Sequence, residues 1–166
     1  VKLHSRETIM VQSQPVQAFM TTPVKSVRPD TPLTEVIQML NAAHISGLAV
    51  CDHQGKLVGE ISAKDLMVRE SGLEPGPYMV FLDSVIYLRN PLRWEREVHQ
   101  ALGETAEAIM NRSPHTCAPT MSLQEAAALL HDAGTERLFV VEGSNLIGVF
   151  SRADLIRAMA AKGGAQ

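Results

Sequence analysis

The sequence predicts an α/β (α+β) fold of two tandem β-α-β-β-α repeats related by pseudo-two-fold symmetry, and three observations lead to this prediction. The chain has 166 residues, 45% of them hydrophobic, which is enough to bury a substantial core. The pattern around Met20 recurs 90 residues later around Met110, and Pro29 likewise meets Pro119. Each copy combines one helical apolar stripe with two short apolar runs on either side of a polar turn.

A short strand at 26–27 opens the first repeat, and an amphipathic helix follows it. In both copies the helix is predicted by apolar residues at positions i, i+3, i+4 and i+7. These residues are Leu33, Val36, Ile37 and Leu40 in the first copy, and Leu123, Ala126, Ala127 and Leu130 in the second. Thr31 and Pro32 predict a cap and a preset first turn for the first helix, whereas Ser122 and Glu125 have capping-box spacing in the second.

A β-hairpin and a second helix complete each repeat. In the first copy, the apolar runs 47–51 and 57–61 lie on either side of the polar segment 52–55, which indicates two strands joined by a turn. The second copy has one residue fewer in this turn, so Gly59 meets Gly148 at an offset of 89. The second helix is predicted to begin near residue 62 or 63.

A Ser-x-x-Asp motif stands at the start of this second helix in both copies, as Ser62–Asp65 and Ser151–Asp154. Its structural interpretation is a capping box, in which the hydroxyl accepts a first-turn N–H bond and the carboxylate suits the helix dipole. In its functional interpretation, the hydroxyl and free N–H groups bind a phosphate, and the carboxylate accepts both hydroxyls of a ribose. Lys64 and Arg152 lie inside the motifs and can pair with that phosphate. Both interpretations stay open at this point.

The two copies resemble tandem cystathionine-β-synthase (CBS) domains. The resemblance lies in Phe19–Thr21, Ile45–Asp52 and Lys56–Leu66 of the first copy, and in Ile109–Asn111, Arg137–Glu142 and Leu146–Leu155 of the second. A tandem pair of this kind is similar to the Bateman module, which senses adenosyl ligands such as AMP, ADP, ATP or S-adenosylmethionine. The resemblance implies a regulatory module without an obligate cofactor rather than an enzyme, and it implies no catalytic residues.

The resemblance also implies two ligand clefts between the copies. By motif position, the first would use Ser26, Val27, Leu48, Ala49, Ser62, Lys64 and Asp65, and the second Thr116, Cys117, Arg137, Leu138, Phe139, Ser151, Arg152 and Asp154. Strand residues 26–27 and 116–117 would offer backbone groups to adenine, and residues 48–49 and 138–139 would border the base. The family usually has Pro at the place of Ala49 and Phe139, and a Phe there would stack on adenine or fill the slot. Occupancy of the second cleft is therefore the weaker expectation.

Charge and residue spacing argue against several other functions. The net charge is −3 with acidic and basic residues interspersed, so no basic surface for the nucleic-acid backbone is predicted. The six His and two Cys show no metal-binding spacing, so no metal site is expected. Cys51 and Cys117 align with Val141 and Val27, which predicts buried, inert thiols.

Targeting signals are not evident in the sequence. The first residues lack the apolar core of a secretory signal, and two cysteines are too few for a disulfide framework. The apolar run Tyr78–Leu82 is too short to span a bilayer. We therefore expect a cytoplasmic protein that does not contact a membrane.

The predicted domain boundaries are 15–71 for the first CBS domain, 72–104 for an insert, and 105–162 for the second CBS domain. The insert holds Tyr78, Phe81, Tyr87 and Trp94, which is most of the aromatic content of the chain. A turn is predicted at 72–77, a strongly apolar stretch at 78–88, and a polar helix from Arg93. The aromatic residues either cover the flank of the second repeat or bind a partner, and we favour the first.

Three functions are weighed against one another. The favoured one is a homodimeric regulatory module that binds an adenosine-containing ligand and signals through an unidentified protein partner or a change of assembly. The second is an interaction scaffold with empty clefts, in which both Ser-x-x-Asp motifs only cap helices. The third is regulation of a thioredoxin-like redox partner, which only the resemblance to plastid CBS-pair proteins suggests.

Overall fold

The computed structural model describes residues 12–67, 78–81, 84–87 and 105–163. The chain divides into two compact units. The first-repeat unit comprises Lys25–Ser113, and the second-repeat unit combines Val1–Val24 with Pro114–Gln166. Each unit contains a mixed three-stranded sheet, and the predicted fold class is confirmed.

The first-repeat unit follows the predicted β-α-β-β-α order. Its elements are β1 (Ser26–Val27), α1 (Leu33–Ala43), β2 (Gly47–Cys51), β3 (Leu57–Ser62) and α2 (Ala63–Met67). The sheet order is β1-β2-β3, in which β1 runs parallel to β2 and β3 runs antiparallel to it. Strands β4 (Tyr78–Phe81) and β5 (Ser84–Tyr87) form a separate antiparallel pair, and a short helix α3 (Ala106–Ile109) follows.

The second-repeat unit repeats this order after a 3-10 helix at Val16–Ala18. Its elements are β6 (Thr116–Cys117), α4 (Leu123–Asp132), β7 (Arg137–Glu142), β8 (Asn145–Ser151) and α5 (Arg152–Gly163). Strand β7 is again central, with β6 parallel and β8 antiparallel to it. The second helix begins at the predicted position in both repeats.

The apolar stripe of each first helix packs into its own core. Leu33, Val36 and Leu40 are buried in the first-repeat unit, and Ile37 at the edge of the stripe is half-buried. The first core also takes in Val27, Leu48, Val50, Ile61, Ala106 and Met110. The second core comprises Val16, Cys117, Leu123, Ala126, Leu130, Leu138, Val140, Phe150 and Ala158.

Each unit is completed by a segment that precedes the other repeat in sequence. In the first-repeat unit, Asn111 and Glu60 exchange backbone hydrogen bonds of 2.8 and 2.9 Å. In the second-repeat unit, Thr21 and Val149 do the same at 2.8 and 3.1 Å. The compact units therefore divide the chain after residues 24 and 113, whereas the predicted domain boundaries follow the sequence similarity and stay a prediction.

The helix caps agree with the prediction in one repeat and differ in the other. Ser122 and Glu125 form the predicted capping box at the start of α4. The cap predicted for Thr31 is wrong, because Pro32 occupies the N-cap position and no side chain caps α1. The Thr31 hydroxyl instead accepts a 2.9 Å hydrogen bond from the Arg28 N–H, which stabilises the turn before the helix.

The predicted hairpin turn is present between β2 and β3. Asp52 Oδ1 accepts hydrogen bonds from the N–H groups of Gln54 and Lys56, both at 2.9 Å. Gly55 takes a left-handed conformation with φ of 79°, which glycine adopts without steric cost. The side-chain bonds of Asp52 and the freedom of Gly55 together account for a tight turn at this place.

Several expectations about the insert fall on residues that are not described. The apolar stretch contains the β4–β5 pair, but the predicted turn at 72–77 and the predicted helix from Arg93 lie outside the described residues. The role of the aromatic residues therefore stays a prediction. Among the helices that are described, none combines the length and the apolar composition needed to cross a membrane.

Candidate functional site

Each Ser-x-x-Asp motif forms a capping box at its helix start. The Ser62 backbone N–H and hydroxyl both donate to Asp65 Oδ2 at 2.7 Å, and the Asp65 N–H donates to Ser62 Oγ at 3.3 Å. The same three distances for Ser151 and Asp154 are 2.7, 2.8 and 3.3 Å. The capping interpretation is thus confirmed for both motifs, and in each the second carboxylate oxygen, Oδ1, stays outside the box.

The first-turn N–H groups are largely engaged within the fold. Besides the N–H groups of the capping boxes, the Ala63 N–H donates to the Ser46 carbonyl at 2.9 Å and the Arg152 N–H to the Glu136 carbonyl at 3.2 Å. Three N–H groups at each helix start are therefore engaged within the fold, namely those of Ser62, Ala63 and Asp65 and those of Ser151, Arg152 and Asp154. The side chains of Lys64 and Arg152, which are expected to pair with an anion, are both exposed.

The Oδ1 atom of Asp154 already has protein partners. The Thr21 hydroxyl donates to it at 2.9 Å, and the Arg157 guanidinium also donates to it. Arg157 in turn donates to the Thr21 hydroxyl at 3.3 Å. Asp154 is only 2% exposed, so its carboxylate is enclosed by its own capping box and by these two side chains.

The Oδ1 atom of Asp65 has no hydrogen-bond partner among the described residues, and Asp65 is half-buried. The residue that corresponds to Thr21 is Asn111, whose side-chain oxygen accepts instead from the Ser113 N–H at 3.0 Å. The position that corresponds to Arg157 holds Val68, which cannot donate a hydrogen bond from its side chain. The two motifs therefore share their caps and differ in the environment of Oδ1.

The strand residues of the first site lie on one face of the sheet. Ala49 pairs with Ser26 on one side and with Glu60 on the other, and Gly47 pairs with Ser62. These five residues share the face opposite the apolar core, because side chains alternate along a strand and paired residues point the same way. We call Ser26, Gly47, Ala49, Glu60 and Ser62 the first site face. Its centre carries only small side chains.

The corresponding residues of the second-repeat unit form a more crowded face. Phe139 pairs with Thr116 and Val149, and Arg137 pairs with Ser151. We call Thr116, Arg137, Phe139, Val149 and Ser151 the second site face. Phe139 is 1% exposed, and the largely buried Arg137 forms an ion pair with Glu136 at 3.1 Å. Phe139 thus takes the place of Ala49 of the first face, and Arg137 takes the place of Gly47.

Four of the residues proposed as ligand contacts have side chains in the cores, which is compatible with the backbone contacts expected of Val27 and Cys117. Val27 and Leu48 belong to the first core, and Cys117 and Leu138 to the second. Only their backbone groups are available to a ligand. On the first site face the fold therefore brings together Ser62, Ser26 and Ala49. On the second site face it brings together Ser151, Thr116 and Phe139.

Sequence reasoning missed the partners of Asp154. Thr21 was part of the motif that carried the resemblance, but nothing in the sequence indicated a hydrogen bond between residues 133 positions apart. The i, i+3 spacing of Asp154 and Arg157 within α5 is a usable signal, because oppositely charged residues at this spacing are neighbours on a helix. Glu60 on the first site face was also missed, since it lies inside an otherwise apolar run.

The two cysteines are free thiols buried in the strands, as predicted. Burial is the main cause that raises the pKa of Cys51, with the nearby Asp52 carboxylate as a further cause. Burial alone raises the pKa of Cys117 to about 11. Neither thiol has the lowered pKa that marks a reactive cysteine. In the part of the chain that the structure describes, no group of three or more His, Cys, Asp or Glu side chains is arranged to hold a metal ion.

The sequence matches the profile of the CBS domain twice, over residues 16–72 and 106–161. An uncharacterized protein of Methanocaldococcus jannaschii, MJ1426, is 28% identical over 152 residues, covering 87% of this chain and 90% of the relative. The chloroplastic CBS domain-containing protein CBSX2 of Arabidopsis thaliana is 29% identical over 137 residues. That match covers 80% of this chain and 57% of CBSX2.

Solved structures show the same fold. The crystal structure of CBSX2 from Arabidopsis thaliana superposes with a TM-score of 0.74 at 25% identity, covering 90% of this chain and 96% of that one. A complex of CBSX2 with AMP gives 0.67 at 24% identity, covering 89% and 97%. The CBS domain pair of protein MJ0100, in complex with 5′-methylthioadenosine and S-adenosyl-L-methionine, gives 0.64 at 19% identity, again covering 89% and 97%.

Proposed function

The chain belongs to the CBS domain family, and on this premise we propose that it is a regulatory module rather than an enzyme. In this proposal it binds an adenosine-containing ligand, such as AMP, ADP, ATP or S-adenosylmethionine, and passes the signal to a partner protein or through a change of assembly. No obligate cofactor is part of the proposal.

Two structural neighbours support this class of ligand. CBSX2 has been solved with AMP, and the MJ0100 pair with 5′-methylthioadenosine and S-adenosyl-L-methionine. All three ligands contain an adenosine group, and AMP adds a phosphate. These two complexes align with the chain at 24% and 19% identity, which shows a shared fold, and the ligand class is carried over as a proposal.

The observation that carries the proposal is the state of Asp65. Its Oδ2 is fixed by Ser62, while its Oδ1 has no partner among the described residues. A half-buried carboxylate oxygen that is held in place and left unpaired is suited to accept ribose hydroxyls. At the centre of the first site face, next to the buried Glu60, Gly47 and Ala49 carry small side chains where the second site face has Arg137 and Phe139.

The neighbouring residues supply the remaining ligand contacts in this proposal. The exposed Lys64 ammonium is one residue before Asp65 and pairs with a phosphate or carboxylate of the ligand. Strand β1 hydrogen-bonds to β2 along one side only, within the described residues, so the outer backbone groups of Ser26 and Val27 can read the adenine edge. Ala49 borders the base.

Signalling follows from linkage between binding and conformation. A ligand that prefers one conformation of the chain shifts the population towards it, by no more than the difference in its affinity for the two conformations. The proposed readouts are a partner protein and the assembly of a homodimer. Light scattering with and without ligand measures the second directly.

Thermal melting with a panel of ligands tests the proposal. The panel contains AMP, ADP, ATP, S-adenosylmethionine, NAD and cyclic dinucleotides, with cytidine monophosphate as a control that has ribose and phosphate without adenine. At a hundredfold excess over Kd, one site adds about 2.7 kcal/mol, which raises the Tm by about 5–10 °C for a chain of this size. No shift with any adenosyl ligand would contradict the proposal.

An interaction scaffold is the second candidate, and one observation favours it. The Ser-x-x-Asp boxes have nearly the same geometry as the Ser122–Glu125 box, which begins a helix outside the proposed site. The motifs are therefore explained as caps without any ligand. In that case the melting temperature is unchanged by every ligand in the panel.

We further propose a cytoplasmic location, which the two free, buried thiols support.

A further inference from the structure

The backbone around the two Ser-x-x-Asp motifs is nearly identical. Thr21 exchanges backbone hydrogen bonds with Val149 on strand β8, and Asn111 does the same with Glu60 on strand β3. The four distances lie between 2.8 and 3.1 Å. The residue that stands beside each Ser-x-x-Asp motif is therefore fixed by its main chain in both units, and only its side chain differs.

Those side chains have opposite effects on the neighbouring carboxylate. The Thr21 hydroxyl donates to Asp154 Oδ1 at 2.9 Å, and the Arg157 guanidinium donates to the same atom. The Asn111 side chain turns away and bonds with the main chain of Ser113, at 3.0 Å to its N–H and 3.5 Å to its carbonyl. A hydroxyl thus donates to Oδ1 of Asp154, whereas Oδ1 of Asp65 has no hydrogen-bond partner among the described residues.

A ribose diol offers a carboxylate the same kind of donor that Thr21 provides. A ligand at Asp154 must displace both the hydroxyl and the guanidinium from a carboxylate that is only 2% exposed. Displacement is costly because a buried acceptor loses bonds that the ligand must replace in full. The main-chain hydrogen bonds between Thr21 and Val149 hold the segment around Thr21 in place, so the threonine cannot move aside together with its backbone.

Steric bulk acts in the same direction. The first site face has Gly47 and Ala49 where the second has Arg137 and Phe139. Phe139 and Ala49 are both fully buried, at 1% and 0% exposed, so the two faces differ in the size of these side chains and not in their exposure. The size of the side chains on the site face and the hydrogen bonds at Oδ1 therefore both distinguish the second position from the first.

We propose that Thr21 and Arg157 form an internal latch that closes the second ligand position, so that the chain binds one adenosyl ligand, at Asp65. This inference rests on the proposed function and adds to it which of the two positions is used and which residues decide it. Thr21 and Arg157 act by occupying Asp154 and do not contact the ligand.

Isothermal titration with AMP tests the number of sites. We expect one AMP per chain in the unaltered protein and in Asp154→Asn, with Kd values within twofold of each other. Asp65→Asn should weaken binding at least tenfold. Two AMP molecules per chain, or the loss of binding in Asp154→Asn, would overturn the inference.

Two reciprocal variants test the latch residues themselves. Thr21→Val combined with Arg157→Gln removes both donors, and the titration should then show a second AMP per chain. Asn111→Thr places a hydroxyl beside Asp65 and should raise the Kd for AMP at least threefold over Asn111→Val, which has the same shape without the hydroxyl. A double variant that still binds one AMP, or equal Kd values for the two Asn111 variants, would refute the role of these donors.

A double-mutant cycle, measured by melting temperature, tests the latch without any ligand. Thr21→Val should lower the Tm of the unaltered protein by several degrees and leave the Tm of Asp154→Ala unchanged, because the hydrogen bond is already lost there. Equal Tm losses in both backgrounds would overturn the latch. A protein that binds no AMP but shows this coupling has the latch and lacks the proposed function, so the two failures are distinguishable.

Discussion

Met20 packs directly against Gly148, and this contact joins the segment before the first repeat to strand β8 of the second-repeat unit. A Cβ atom built on Gly148 would lie 2.3 Å from Met20 Sδ and 2.9 Å from its Cγ. The repeat-related pair behaves alike, since a Cβ on Gly59 would lie 2.8 Å from Met110 Sδ. At both positions an added Cβ must displace its neighbours, which are only the Met20 side chain at Gly148 but include the Asn111 main chain at Gly59.

Alanine at either glycine is expected to destabilise the fold by overpacking. We expect Gly148→Ala and Gly59→Ala each to lower the free energy of unfolding by about 1–3 kcal/mol, measured by urea denaturation. In the first-repeat unit the added methyl group would also lie 3.0 Å from the Asn111 carbonyl oxygen, which is main chain and accepts a bond from Glu60. The two positions should therefore respond differently when the methionine is removed.

Truncation of the methionines provides the matched control. Met20→Ala should relieve most of the strain of Gly148→Ala, whereas Met110→Ala should relieve less of the strain of Gly59→Ala, because the Asn111 carbonyl stays in place. The coupling energy from a double-mutant cycle measures both effects. Additive behaviour of Met20 with Gly148 would contradict the close contact.

The capping box of α4 predicts a specific response to acid. Hydrogen bonds from the Ser122 side chain and backbone hold the pKa of Glu125 below its usual value of 4.5. A carboxyl group whose pKa is lowered in the folded state contributes stability above its unfolded pKa, and this stability is lost as the pH falls through the folded pKa. Compared with the unaltered protein, Glu125→Gln should therefore show a smaller loss of Tm between about pH 5 and pH 3, the range over which the carboxyl group of the unfolded and then of the folded chain is protonated.

The repeat-related glutamate is the control for this experiment. Glu35 holds the same position in α1, but that helix has Pro32 at its N-cap and no side-chain cap bond. Glu35→Gln removes a carboxylate at the same helix position without breaking a side-chain cap bond, so it separates the loss of a charge from the loss of the Ser122 bonds. An equal effect of the two substitutions would show that the Ser122 bonds are not its cause.

The buried thiols are expected to resist alkylation. Burial raises the pKa of Cys117 to about 11, so about one thiol in a thousand is ionised at pH 8. In the native protein, Cys51 and Cys117 should react with a thiol reagent at least a hundredfold more slowly than in guanidinium chloride. Because the folded pKa is raised above the unfolded value of 9.0, stability is also lost as the pH rises from 9 towards 11. A native thiol that reacts at the denatured rate would contradict the burial and, with it, favour a redox role.

Local patterns predicted the elements well, because they depend on residues close in sequence. The stripe of α1, the hairpin turn at Asp52 and the capping box at Ser122 are each determined by a few neighbouring side chains. The Thr31 cap was predicted incorrectly for a local reason as well, since Pro32 takes the N-cap position and the Thr31 hydroxyl accepts from the Arg28 N–H.

Contacts between distant segments could not be predicted from these patterns. The apolar character of Met20 and Met110 indicates burial and does not indicate which copy each residue completes. Helical or strand periodicity does not predict the bond from Thr21 to Asp154. It also does not predict that Asp65 Oδ1 has no partner among the described residues. The sequence thus indicated two equivalent motifs, and the structure distinguishes them by their Oδ1 partners.

The most direct test of the account compares two capping acids in the presence of AMP. Asp65→Ala and Glu125→Ala each remove a carboxylate that accepts from its N-terminal serine with nearly the same geometry. Only Asp65 belongs to the proposed site, so both variants should melt lower without ligand, and Asp65→Ala alone should lose the rise in Tm caused by AMP. A full AMP-induced rise in Asp65→Ala, or no rise in the unaltered protein, would contradict the account.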